Sequence, residues 1–160
     1  PEAVARLRAE GWRTGICTNK PERLSAILLD RLGCRHLFDS LVGADTLPVR
    51  KPDPRPLREA IRRAGGSPVR ACLVGDSDTD RNTARAAGVP CLLVTFSDAA
   101  AMEALAPEAL LASYDDLPRA VAALVHGPSL LERSSAHGLP ATRTLAKPMA
   151  PAALVDEAID

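Results

Sequence analysis

The sequence has no net charge, no paired cysteines and no long apolar run, and each of these absences argues against a class of protein. With 20 basic and 20 acidic side chains, the 160-residue chain has no overall charge that would attract nucleic acid or an anionic membrane. Its four cysteines are widely spaced and form no C-x-x-C pair, which argues against a zinc site or a disulfide framework. We therefore expect a cytoplasmic domain that binds neither nucleic acid nor membrane.

What the sequence does contain is an alternation of strand and helix patterns, typical of an α/β domain with a parallel sheet. Apolar residues make up 46% of the chain, enough for one hydrophobic core. The predicted strands are 13–18, 41–44, 71–74, 90–96 and 109–112. The predicted helices are 2–10, 21–32, 56–64, 78–87 and 115–125. In such sheets ligands bind beyond the carboxyl ends of the strands.

The last part of the chain differs in composition from the rest. Residues 126–160 are interrupted by glycine and proline, and only Ala152–Ile159 has helical character. We therefore predict a core at residues 1–125 and a poorly ordered C-terminal extension at 126–160.

The strongest candidate for chemistry is a G-D-S-D-T-D run that follows an apolar strand. Asp76 comes directly after Gly75, and Asp80 lies four residues further on, near the start of a helix. Two hard oxygen ligands close together suit Mg²⁺, which binds one or two carboxylates together with substrate phosphate. The alternative is structural, since aspartates at a helix start also serve as caps.

Two weaker candidates precede this run in the sequence. Thr18 and Asn19 end a predicted strand, where a hydroxyl and backbone N–H groups can hold a phosphate oxygen or simply cap a helix. Lys51 lies in a proline-rich loop, R-K-P-D-P, that fixes the backbone and could present a positive charge to phosphate. A solvated loop lysine is the alternative.

In this order, the three elements resemble the motifs of the haloacid dehalogenase superfamily. The sequence segments that contain them are most similar to those of phosphoglycolate phosphatases: I-C-T-N-K-P, K-P-D-P and V-G-D-S-D-T-D. The resemblance implies a Rossmann-like three-layer core and Mg²⁺-dependent hydrolysis of small phosphate monoesters, with 2-phosphoglycolate the best guess. It implies that Thr18 and Asn19 bind phosphate and that Lys51 bridges phosphate and nucleophile. It also implies that Asp76 binds Mg²⁺ and that Asp80 supports the metal and its waters.

One expected motif is absent from the sequence. The resemblance implies an attacking aspartate in D-x-D-G-T at the end of a central first strand, followed by a helical cap, and no D-x-D-G-T occurs here. We therefore expect a chain that lacks this strand, the nucleophile and the cap, and that is inactive by itself. Loss of a central strand would leave two buried sheet edges unpaired, which predicts marginal stability and aggregation.

Two other functions remain open at this stage. The chain could be a catalytically dead remnant that binds phosphate or Mg²⁺ or contacts a partner. A phospho-accepting receiver domain also combines aspartates and a lysine on a parallel sheet, but receivers place their acidic pair near the start of the chain. The expected partner is a small phosphorylated metabolite, and assembly into a homo-oligomer is compatible with the sequence.

Overall fold

The computed structural model describes residues 1–96, 98–126 and 152–155, and these form a three-layer α/β fold. The described strands are β1 (Arg13–Cys17), β2 (Ser40–Val42), β3 (Ala71–Gly75), β4 (Cys91–Val94), β5 (Ala109–Leu111) and β6 (Ala152–Val155). The described α-helices are α1 (Glu2–Ala9), α2 (Glu22–Arg31), α3 (Pro54–Arg63), α4 (Asp78–Ala87), α5 (Ala99–Ala104) and α6 (Leu117–His126). The predicted α/β class and parallel sheet are confirmed.

All six described strands are parallel and lie in the order β2-β1-β6-β3-β4-β5. Helices α3 and α4 cover one face, where Leu57, Ile61 and Ala84 are fully buried. Helices α1 and α6 cover the other, where Leu7 and Val121 are fully buried. Both faces are covered, which explains why the strands read as continuous apolar runs.

The central strand β6 corrects two expectations. The segment at 152–159 was predicted to be helical, but Ala152–Val155 is a strand paired with β1 on one side and β3 on the other. The prediction of two unpaired edges is therefore wrong, because β6 lies between β1 and β3 and pairs with both. The short apolar run becomes a strand because two parallel neighbours offer it backbone hydrogen bonds on both sides.

Most of the C-terminal extension lies outside the described residues. The prediction that 126–160 is poorly ordered is therefore tested neither at 127–151 nor at 156–160. Within the described part of the chain, no helix has the length and apolar character needed to cross a membrane.

The four cysteines are all buried, as expected for small core side chains. Burial raises the pKa of the Cys72 thiol to about 12, and burial is also the main reason that the pKa of Cys91 is raised to about 12. Since the thiolate is the reactive form, we predict slow labelling of both residues by a disulfide reagent such as DTNB at pH 8. The urea-denatured chain is the control and should release four equivalents, whereas rapid native labelling of either residue would contradict their burial.

Candidate functional site

The carboxyl ends of β1 and β3 bring two of the predicted residues to one edge of the sheet. Thr18 directly follows β1 and Asp76 directly follows β3. Val155 of β6 pairs with Ile16 on one side and Val74 on the other, so Thr18 and Asp76 lie equally far along their strands. The topology therefore places these two side chains on either side of the end of β6.

Lys51 is connected to this edge of the sheet by a buried ion pair with Asp80. Its Nζ lies 2.7 Å from Oδ1 of Asp80, and the two side chains are 2% and 0% exposed. Lys51 is thus the opposite of a solvated loop lysine, which was the structural alternative. Because the ammonium group is buried and paired with Asp80, the protein fixes the position of its positive charge.

Asp80 acts as the centre of this buried network. Its Oδ1 accepts from Lys51, while its Oδ2 accepts from the backbone N–H of Asp76 at 3.2 Å and from the Ser77 hydroxyl at 2.6 Å. Ser77 also caps α4 by accepting from the backbone N–H of Asp80 at 3.2 Å. One carboxylate therefore connects the lysine loop, the end of β3 and the start of α4.

Gly75 is required for this close packing. A Cβ atom built on Gly75 would lie 2.4 Å from Cγ of Asp80, far inside van der Waals contact. The glycine in the G-D-S motif therefore makes room for the Asp80 carboxylate against the last residue of β3.

Asn19 holds the backbone of the lysine loop. Its side-chain amide donates to the carbonyl oxygen of Lys51 at 3.0 Å, and its Oδ1 accepts from the N–H of Lys51 at 3.0 Å. Two hydrogen bonds to one residue fix that peptide segment relative to the end of β1. The contacts give Asn19 a positioning role, and its predicted contact with phosphate stays a prediction.

Thr18 is buried and fixed by its neighbours. Its backbone N–H donates to the carbonyl oxygen of Val42 at 3.0 Å, and its Oγ1 accepts from the backbone N–H of Lys20 at 3.1 Å. These bonds extend the pairing of β1 with β2 by one residue and set the direction in which the chain leaves the sheet. Phosphate binding by Thr18 stays a prediction.

Asp76 and Asp80 differ in a way that the sequence did not indicate. Asp76 is exposed at the edge of the sheet, whereas Asp80 is fully buried and both its oxygens accept hydrogen bonds. The exposed carboxylate suits Mg²⁺, which needs only one or two protein carboxylates beside water and substrate phosphate. No cluster of three or more potential ligands from histidine, cysteine, aspartate and glutamate occurs within the described ranges. Of the two aspartates, Asp76 is thus the one that could act as a ligand of Mg²⁺.

Sequence reasoning named five site residues, and the described structure brings them together. What it missed is Ser77, which links α4 to Asp80 and could have been found from the S-x-x-D spacing of a helix cap. It also gave Asp80 a metal-supporting role, which stays a prediction beside the observed contact with Lys51.

Comparison with known proteins now identifies the family. The model of haloacid dehalogenase-like hydrolases matches residues 1–88, more than half of the 160-residue chain. The chain belongs to the haloacid dehalogenase-like hydrolase family.

Named relatives point to one branch of that family. A phosphoglycolate phosphatase of Mesorhizobium japonicum is 50% identical over 95 residues, which cover 59% of this chain and 42% of the relative. One from Caulobacter vibrioides is 37% identical over 125 residues, which cover 78% and 53% of the two chains. This chain therefore spans about half the length of these curated relatives.

Solved structures share the fold over a similar range. The crystal structure of a predicted phosphoglycolate phosphatase from Haemophilus somnus matches with a TM-score of 0.68 and 27% identity, over 74% of this chain and 54% of that one. A haloacid dehalogenase-superfamily hydrolase from Geobacter sulfurreducens matches with a TM-score of 0.63 and 25% identity, over 74% and 57%.

Proposed function

We propose that this chain is the phosphate- and magnesium-binding part of a hydrolase of small phosphate monoesters, with 2-phosphoglycolate as the best candidate substrate. The observation that carries the proposal is the buried Lys51–Asp80 pair, which hydrogen bonds from Asn19 and from the backbone N–H of Asp76 connect to the carboxyl ends of β1 and β3. A fixed positive charge beside an exposed carboxylate suits phosphoryl transfer, where charge on the transferring oxygens must be offset. The proposed location is the cytoplasm.

Each residue has a defined part in this proposal. Thr18 Oγ1 accepts a hydrogen bond from the backbone N–H of Lys20, so the hydroxyl proton of Thr18 can be donated to a phosphate oxygen. Lys51, held by Asp80 and by the Asn19 amide, offsets negative charge on the phosphoryl group. Asp76 would hold Mg²⁺, which supplies further charge neutralisation at the phosphate oxygens when bound.

The chemical step follows from the family resemblance. A carboxylate oxygen attacks phosphorus as the bond to the alcohol oxygen breaks, and water then hydrolyses the aspartyl-phosphate to inorganic phosphate. We assign this attack to none of the described residues, because the D-x-D-G-T motif is absent from the sequence. A second candidate function, compatible with the same described residues, is binding of phosphate and Mg²⁺, or contact with a partner, without catalysis.

Phosphate binding separates the proposed site from an unrelated one. We expect the purified chain to bind inorganic phosphate in the presence of Mg²⁺, as measured by calorimetry. The affinity of the Asp76→Asn variant for phosphate should be lower by at least about tenfold. Asp30→Asn, a change of an exposed carboxylate on α2, is the matched control and should leave binding unchanged. Absence of Mg²⁺-dependent binding by the unmodified chain would contradict the proposed function and leave only contact with a partner from the second candidate.

Hydrolysis by the chain alone tests whether it carries its own nucleophile. Without an attacking carboxylate, turnover of p-nitrophenyl phosphate should fall by about 10⁴-fold or more relative to a complete enzyme. Robust turnover that Asp76→Asn abolishes would place the nucleophile within this chain. Comparison of Asp156→Asn, the acidic residue that follows β6 in the sequence, with Asp160→Asn would then test where it lies.

A further inference from the structure

Helix α2 has an outer side that is more apolar than is usual for a surface helix. Leu24 and Ile27 are 55% and 39% exposed, and Leu32, which follows the last residue of α2, is 46% exposed. Of the seven large hydrophobic side chains exposed within the described residues, three thus lie in or directly after one helix. The inner side of α2 is already packed, because Leu29 is fully buried. Since surface helices normally present polar residues to solvent, the outer side has the composition of a contact surface.

The apolar residues of this outer side form one continuous stripe. Ile27 and Leu28 follow Leu24 by three and four residues, so the three side chains are neighbours on the helix surface. Leu28 is partly buried, and Leu32 lies four residues further along the same row. Rows of side chains with this spacing pack into the grooves of a second helix. We call Leu24, Ile27, Leu28 and Leu32 the α2 stripe.

Two opposite charges flank the α2 stripe on one side. Arg23 and Asp30 are both exposed, and the seven residues between their positions correspond to nearly two helical turns. They therefore lie on the same flank but about 10 Å apart, too far to pair with each other. Neither side chain has an ion-pair partner among the described residues. The midpoint of the two charges lies between Ala26 and Ile27, within the stripe.

A second copy of α2 that runs antiparallel to the first matches this charge pattern. A twofold axis that passes between Ala26 and Ile27 brings the same flanks of both helices together. Arg23 of each copy then lies opposite Asp30 of the other, one pair at each end of the contact. The pattern is thus complementary to itself, which is the property that a symmetric dimer contact requires.

The same axis brings the apolar side chains of the two copies together. Ile27 lies at the centre of the contact, and Leu24 lies beside Leu28 of the partner subunit. Arg31 is exposed on the other flank of the stripe, where its aliphatic stem can cover Leu24 of the partner subunit. The contact therefore has an apolar centre and a charged rim, as protein interfaces do.

We propose that the α2 stripe is the contact of a homodimer in which two α2 helices pack antiparallel, with Arg23–Asp30 ion pairs at both ends. This inference is independent of the proposed function, because it uses none of the residues of the candidate site. The chain has no net charge, so long-range repulsion does not keep two copies apart.

The size of the contact sets the expected strength of the dimer. Helix α2 has 10 residues, which correspond to a length of about 15 Å. One pair of helices of this length buries less than the roughly 800 Å² per partner of a stable interface. We therefore expect a weak dimer, with a Kd on the order of 10–100 µM.

Sedimentation equilibrium of the chain over a range of about 5–500 µM tests this contact. Arg23→Glu and Asp30→Arg should each weaken the dimer by about 5- to 20-fold, because each creates like-charge contacts at both ends. The double variant, Arg23→Glu with Asp30→Arg, exchanges the two charges and should return the affinity to within about twofold of that of the unmodified chain. In about 1 M salt the differences between these variants should largely disappear.

Ile27→Glu tests the apolar centre and should abolish association over the same range of concentration. Val69→Glu is the matched control, since Val69 is 87% exposed and lies between α3 and β3, so its association should be unchanged. If circular dichroism shows that Ile27→Glu does not fold, Leu24→Glu replaces it, with the same expected loss of association.

Three outcomes would overturn the inference. A chain that is monomeric throughout the range shows that another occupant covers the α2 stripe. A dimer that Ile27→Glu leaves intact forms through a different surface. A double variant that associates no better than Arg23→Glu or Asp30→Arg alone contradicts the antiparallel pairing of these charges.

Discussion

Replacement of Lys51 by methionine is expected to lower the free energy of unfolding by about 3–5 kcal/mol, the cost of breaking a buried ion pair from one side. The Asp80 carboxylate would remain fully buried, with hydrogen bonds only from Asp76 and Ser77 among the contacts described above. Since domains of this size are stable by about 5–15 kcal/mol, the variant loses a large share of its stability. Urea denaturation followed by circular dichroism at pH 7 measures the change.

The control is an ion pair of the same length at the surface. Arg119 lies 2.7 Å from Asp116, but the two side chains are 83% and 52% exposed. Arg119→Met should therefore cost no more than about 0.5 kcal/mol, because solvent screens such pairs. Equal and small effects of the two substitutions would show that the Lys51–Asp80 contact is not buried in solution.

The proximity of the candidate site residues could be predicted from sequence because they lie next to local signals. Thr18 and Asp76 directly follow apolar strands, and parallel strands end at a common edge, so their proximity followed from the order of elements alone. Lys51 was found because prolines surround it. These inferences needed only residues adjacent in the chain and one rule of topology.

The sequence alone could not show which of the two aspartates is buried against Lys51 and which is exposed. Both lie in one acidic run, and spacing does not determine which carboxylate turns inward. That direction depends on Lys51 and on the space above Gly75, which come from another loop and from the strand end. The result is that Asp80 anchors the lysine, while Asp76 remains exposed at the edge.

Strand β6 was missed for a related reason. Residues 152–159 satisfy a helical pattern locally, but Ala152–Val155 pairs with β1 and β3, which are distant in the sequence. Non-local pairing can override a short helical preference, because a central position satisfies backbone groups on both sides. The earlier expectation of instability rested on an empty central position, and β6 removes that basis.

Ala153→Glu is therefore expected to abolish cooperative folding. Ala153 is fully buried in the cluster that includes Cys72, Val74 and Leu92. A glutamate there would be an unpaired charge in an apolar core, at a cost of several kcal/mol that is comparable with the total stability of a domain. We expect loss of the thermal transition seen by circular dichroism, together with aggregation, because the centre of the sheet would open.

Ala5→Glu provides the matched control for this change. Ala5 is exposed near the start of α1, where a negative charge is tolerated or mildly favourable, so its melting temperature should stay within a few degrees of that of the unmodified chain. Truncation after His126 should reproduce the effect of Ala153→Glu, since it removes β6 altogether. If the truncated chain and the Ala153→Glu variant both melt like the unmodified chain, β6 does not stabilise the sheet. The edges of β1 and β3 would then need another partner.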